Sequence, residues 1–153
     1  MTVPASFRAP WDLEALLNES PFLADLGLEF LELDETGAVF ELTVSARHLN
    51  AEGRMHGGVI ATLLDAACGL PVRVTAKDAD LVRAVTLTLS VNYIAAPKGP
   101  RMRATGRISG GGSRVLFSEG EVRDTDGSLV ATATGSFKRL RPTANPIQTK
   151  DTE

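Results

Sequence analysis

One charge interrupts the sixteen-residue run from Gly57 to Val72 (GGVIATLLDAACGLPV): Asp65, which apart from Thr62 stands among apolar or small residues only. A carboxylate is expensive to bury there unless it is hydrogen-bonded or its ionisation shifts. Asp65 is therefore a candidate catalytic carboxylate or, in the alternative, the partner of an arginine from elsewhere. On a helix it shares a face with Gly58, Ala61, Cys68, Gly69 and Val72, mostly small, while Ile60, Leu63, Leu64 and Leu70 point elsewhere. Such a face lets another body come close. Immediately ahead lies Arg54-Met55-His56-Gly57-Gly58. Free N–H groups at a helix start, unobstructed at two successive glycines, favour an oxygen carrying negative charge, such as a carbonyl oxygen becoming an oxyanion. A glycine pair before a helix is also commonly a plain turn.

Eight residues separate Gly57 from Asp65, about 12 Å along a helix axis, too far for both to flank one carbonyl group. If both act on one substrate they come from different chains, and the small-residue face is where a twofold partner approaches.

The elements that must position these groups follow from periodicity. Ile60, Leu63, Leu64 and Ala67 recur at helical spacing, so residues 57–72 form a buried central helix, kinked or ended near Pro71. A short helix is expected over residues 10–18, and a hairpin from Leu28–Leu33 and Ala38–Val44 around Asp34-Glu35-Thr36-Gly37. Val85, Leu87, Leu89, Val91 and Tyr93 alternate with Thr86, Thr88, Ser90 and Asn92, a long strand with one apolar and one polar face. Strands over residues 101–108, 114–124 and 129–138 follow, with turns at Gly110-Gly111-Gly112 and Asp126-Gly127. The expected architecture is α+β: an antiparallel sheet of five or six strands, four of them in succession, wrapped around one long helix. Residues 1–140 read as a single domain and 141–153 as a flexible tail.

Composition narrows the classes. With 153 residues, 43% hydrophobic and 23% charged, the chain is an ordinary globular domain. It has no apolar run of eighteen residues and no signal-peptide start, so no membrane role and a cytoplasmic location are expected. One cysteine and two histidines leave little material for a metal site. Residues 97–141 hold nine Lys or Arg against four acids within a chain of net charge −3, which suits a small polyanion better than a nucleic acid. Strand edges protected by positive charge are the alternative.

Asn50 and Gly53, then His56-Gly57-Gly58, then Asp65 and a Thr/Val strand running to Pro97, together resemble the PaaI-like branch of the hotdog-fold thioesterases, which includes 4-hydroxybenzoyl-CoA thioesterases. The resemblance covers residues 25–138. It implies hydrolysis of a small or medium acyl- or aryl-CoA, with Asp65 as general base or nucleophile opposite the Gly57 amide of a partner subunit. It further implies that His56 orients the thioester or holds its loop, that Asn50 positions water or the acid, and that Thr86 lies near the catalytic water. His56 as a helix cap and Asn50 as a turn former are the alternatives. Gly58 would border the substrate, and Arg114, Lys138 and Arg139 are candidate partners for the CoA phosphates. Coenzyme A is then part of the substrate and no separate cofactor is expected. The minimal unit is a homodimer, with a homotetramer as the expected assembly. Where some relatives carry a hydroxyl one turn after the acid, this chain has Gly69. A dehydratase acting on acyl carrier protein and a non-catalytic acyl-CoA binding protein are the competing functions.

Overall fold

The computed structural model describes residues 20–74 and 81–140. The helix expected over residues 10–18 and the tail 141–153 lie outside them. A six-residue helix α1 (Pro21–Leu26) comes first, at a place where Pro21 and Gly27 suggested only punctuation. Those residues are its two ends. Proline loses nothing in a first turn, where its missing N–H would have had no helical partner. Gly27, at φ 83°, closes the other end by donating its N–H to the Ala24 carbonyl.

Strands β1 (Leu28–Leu33) and β2 (Gly37–Thr43) form the expected hairpin, and Asp34 accepts the Thr36 and Gly37 N–H groups in its turn. A loop then leads to the central helix α2 (Gly57–Arg73), followed by β3 (Ala84–Tyr93), β4 (Arg101–Gly111), β5 (Val115–Asp124) and β6 (Leu129–Arg139). All six strands join one antiparallel sheet in the order β1-β2-β4-β5-β6-β3. The expected succession of four strands holds only for β4, β5 and β6. β2 and β5 occupy both sides of β4, so β3 pairs instead with β6 and ends the sheet.

Helix α2 lies across this sheet with Leu63, Leu64 and Ala67 fully buried against Phe40, Leu42, Met102, Ala104 and Val122. Phe30 and Phe40 meet edge to face at 4.6 Å beneath it. The closest approach occurs where β4 has no side chain. A Cβ on Gly106 would stand 2.1 Å from the Ala67 carbonyl oxygen, so only glycine fits under the helix there. Pro71 has no N–H to give that same carbonyl. The helix ends two residues past it, at Arg73, close to where the proline was expected to end it, so the missing bond falls in the last turn. The final carbonyls are collected by Arg139, which donates from Nε to Val72 at 2.7 Å and from Nη2 to Val74 at 3.0 Å.

The long strand departs from strict alternation. Thr86 pairs with Phe137 and Thr88 with Ser136, so Leu87 is an extra residue and the register slips by one. Paired residues share a face. Thr86 therefore points with buried Phe137 toward the helix, while Thr88 points outward and shares a hydrogen bond with Ser136 at 2.8 Å. Thr86 thus leaves the polar face on which alternation places it.

Gly106→Ala is expected to lower stability by about 3 kcal/mol, the upper end for overpacking, because the obstacle is helix backbone that cannot rotate away. A thermal melt should fall by roughly 10 °C; an unchanged melt would show that α2 can ride higher on the sheet. Asp124 offers a second check. Burial pushes its carboxyl up, but N–H groups of Lys98, Gly99 and Thr125 outweigh that and hold it below the ordinary carboxylate value. A lowered folded value contributes stability that is full above the unfolded value, about 3.9, and lost as pH falls through the folded one. The stability gap between wild type and Asp124→Asn, followed by denaturant unfolding from pH 6 to pH 2, is expected to be constant down to about pH 4 and then to close.

Candidate functional site

The helix start is organised by His56. Its side chain is the N-cap, with Nδ1 accepting the Gly58 N–H at 2.8 Å, and its carbonyl accepts the N–H groups of Val59 at 3.0 Å and Ile60 at 3.3 Å. Of the four amides that open α2, only that of Gly57 has no acceptor among the described residues. Gly58 thus has a different role from the one expected of it: its N–H is already committed. A Cβ at Gly58 would lie 3.0 Å from the His56 ring, so this glycine makes room for the cap. In the neutral ring, a Nδ1 that accepts leaves the proton on Nε2, which faces outward as a donor from an exposed side chain.

Asn50 shapes the loop that leads here. Its side-chain oxygen accepts the N–H groups of Glu52 and Arg54, both at 3.0 Å, and its own N–H reaches the Arg54 carbonyl. Both Asn50 and His56 therefore fit the turn and cap roles that stood as alternatives to direct action. The second histidine, His48, is buried. Its Nδ1 accepts the Ser45 N–H and its Nε2 donates to the Leu26 carbonyl, tying α1 to the loop before α2.

Two turns further along, Asp65 is half-buried and accepts a hydrogen bond from Thr86 Oγ1 at 2.8 Å. The hydroxyl reaches it because of the slip at Leu87. Asp65 opens into a cavity of about 430 Å³ between α2 and β3, with Leu70, Leu89 and Phe137 among its apolar walls and Phe22 and Leu23 of α1 at one side. Gly69 belongs to this arrangement. A Cβ there would stand 2.9 Å from Phe137 Cε1, so the aromatic ring occupies the space that a hydroxyl-bearing side chain would need. Cys68, three residues from Asp65, is fully buried, and burial together with the charges of Asp65 and Glu119 pushes its thiol up to about 12. It remains a protonated thiol at neutral pH and no nucleophile.

The chain brings Asp65 together with Thr86, and Gly57 with His56, but Asp65 and Gly57 stay eight residues apart on one helix. One residue at the helix start was read from sequence only as part of a strand. Tyr93, the last residue of β3, donates from its hydroxyl to the Gly57 carbonyl at 2.9 Å. Its place in the apolar alternation gave no sign of this.

Three residues of the basic excess after Pro97 are engaged on the outer sheet face, where Arg103 faces Glu41, Arg107 pairs with Glu119, and Arg123 with Glu121. Arg139 is engaged with the end of α2. Arg114 and Lys138 are exposed and lie at the same end of the sheet: Val115 pairs with Lys138, and the Arg114 carbonyl accepts the Arg139 N–H.

Comparison with known proteins identifies the family and the fold. Residues 52–131 match the family model described as the thioesterase superfamily. A medium/long-chain acyl-CoA thioesterase of Salmonella typhimurium, YigI, is 28% identical over 81% of this chain and 88% of its own. The PaaI protein of the Escherichia coli phenylacetic acid degradation operon shares the fold with a TM-score of 0.76 at 22% identity, covering 86% of this chain and 92% of that one. A Bacillus halodurans protein solved with CoA is 33% identical with a TM-score of 0.60, over 67% of this chain and 66% of its own. With six antiparallel strands around one long helix and a family match over more than half its length, this chain belongs to the thioesterase superfamily and has the hotdog fold of its PaaI-like members.

Proposed function

We propose that the protein is an acyl-CoA thioesterase working as a homodimer, each active site combining Asp65 and Thr86 of one subunit with the Gly57 amide of the other. The observation that carries this reading is the single uncommitted amide at the start of α2, on the same helix as a carboxylate it cannot reach. A donor left open at a helix N-terminus suits a developing oxyanion. In the hydrolytic step Asp65 takes a proton from water, and the resulting hydroxide adds to the thioester carbonyl carbon. The carbonyl oxygen gains charge against the Gly57 N–H. The C–S bond then breaks, and the departing CoA sulfur recovers the proton from Asp65. If Asp65 attacks directly, CoA leaves as its thiolate and a mixed anhydride forms; where water opens that anhydride at the Asp65 carbon, a single turnover in ¹⁸O-water leaves label in the Asp65 carboxyl, which the general-base route never does.

The dimer is supported by the edge strand. Among the described residues β3 pairs only with β6, and Val85, Leu87 and Tyr93 are 42%, 50% and 56% exposed along it. An open apolar edge calls for a partner strand. Such dimers would pair again into the expected homotetramer. The cavity's size and aliphatic and aromatic lining suit a small or medium acyl or aryl group. Arg114 and Lys138 are offered to the CoA phosphates, with Arg139 as a weaker participant because of its bonds to α2. No described helix is long and apolar enough to cross a membrane; the proposed setting is the cytoplasm.

Complementation tests the composite site. Asp65→Asn is expected to reduce kcat by about 10³-fold. Gly57→Pro removes the amide proton at a first helical position that tolerates proline, and a Cβ there meets the Tyr93 ring at an ordinary 3.5 Å. Co-refolding equal amounts of the two inactive variants should restore about a quarter of wild-type activity, because half the dimers are mixed and each carries one intact site. No recovery, with mixed dimers demonstrated by mass spectrometry, would sink the shared site. Thr86→Val should lower kcat about tenfold, as for one lost hydrogen bond to a charged group, with little change in the melt.

A further inference from the structure

We propose that Tyr93 is a positioning residue for the oxyanion amide: by holding the Gly57 carbonyl it ties residue 57 to the sheet, so that the N–H on the other side of the Gly57 Cα is already aimed when substrate arrives. The inference rests on the site reading above. It concerns how the donor is held, and no catalytic contact is assigned to the phenol.

Two successive glycines open α2, the residue type with the most backbone freedom to lose. A first turn is also where helices fray. The bonds that organise this turn converge on His56, whose own N–H reaches the carbonyl of buried His48 at 2.8 Å, so they fix the turn to the loop before it and not to the sheet. Tyr93 supplies the link to the sheet. Its hydroxyl donates at 2.9 Å to the Gly57 carbonyl, which belongs to the Gly57–Gly58 peptide, and its ring lies 3.5 Å from the position of a Cβ on residue 57; the Gly57 Cα, from which the His56–Gly57 N–H projects, is thereby held from the sheet side. The strand end that carries it is firm, since the next two N–H groups, of Ile94 and Ala95, both reach the Val130 carbonyl at 2.8 and 3.1 Å. A hydrogen-bond donor serves an oxyanion in proportion to how little it must reorganise, and small displacements of such groups carry large rate costs.

The test is Tyr93→Phe, which keeps the ring contact and removes only the hydroxyl. Its kcat is expected to fall about tenfold with KM within twofold of wild type, the dimer intact by sedimentation, and the pH–rate profile lowered without a change of shape. Binding of a trifluoromethyl ketone analogue of the acyl-CoA, which presents an oxyanion, should weaken by a similar factor, whereas a thioether analogue lacking the carbonyl should bind as before. A merely structural tyrosine would move both analogues or neither. Wild-type kcat in Tyr93→Phe, or a loss explained wholly by dissociation of the dimer, overturns the inference. Asp65→Asn in the same assay separates the two layers. If it is inactive while Tyr93→Phe is fully active, only the role of Tyr93 falls; if Asp65→Asn retains full activity, the site reading falls and this inference with it.

Discussion

The backbone of α2 rests on the sheet at Ala67 and Cys68, and this contact sets the position of the other groups in the site. Gly106 lies under the Ala67 carbonyl, and a Cβ on Gly120 would stand 2.8 Å from Cys68 Sγ. Two glycines on adjacent strands form a seat that lets the helix sink until Leu63 and Leu64 are fully covered. With the helix at that height, the flank toward β3 carries Asp65 and Gly69. Thr86 and Phe137, paired across β3 and β6, meet that flank. Raise the helix by the radius of a methyl group and the hydrogen bond to Asp65 and the packing of the ring against Gly69 are both lost.

The division of work between the ends of α2 follows from what each end leaves unsatisfied. At its C-terminus the carbonyls are gathered by Arg139, a long side chain sent back from the last strand. At its N-terminus every amide but one is used by His56. The first arrangement removes a partial negative charge from play and the second keeps one partial positive charge available. The histidine that the family resemblance suggests for substrate orientation thus has a structural task on Nδ1, and only its Nε2 side is free for anything else.

The parts of this legible in the sequence were those carried by chemistry out of place. A lone acid in an apolar helix and a His-Gly-Gly run before it marked Asp65, His56 and Gly57, period 3.6 located the helix, period 2 the long strand, and turn residues at hairpin spacing the other five strands. What stayed hidden depends on pairing between distant residues. Leu87 sits in faultless alternation, so nothing local announces that it is the extra residue that turns Thr86 inward. The place of β3 at the sheet edge depends on which strands claim β4. Tyr93 reads as one more apolar position, its hydroxyl having no partner until the fold supplies one thirty-six residues away. Helix α1 was legible in principle, since proline at a start and glycine at an end are its signature, but six residues give no periodicity to notice.

The proposed division of the site between two subunits also indicates where its halves would meet. An isologous dimer relates residue i of one subunit to residue j of the other and j back to i. Setting Gly57 opposite the partner's Asp65 on antiparallel helices makes the pair symmetric about the residue midway between them, Ala61. That residue shares its face with Gly58, and both are small enough for two helices to pass closely. On the strand side, β3 spans Ala84–Tyr93 and is exposed on the edge that would meet its own copy. Cys68 and Val72 of the small-residue face are buried within the subunit and Gly69 packs on Phe137, so this part of the face does not bear on the dimer; in the proposed dimer, one twofold axis near Ala61 would account for the open apolar edge and the separation of acid from amide together.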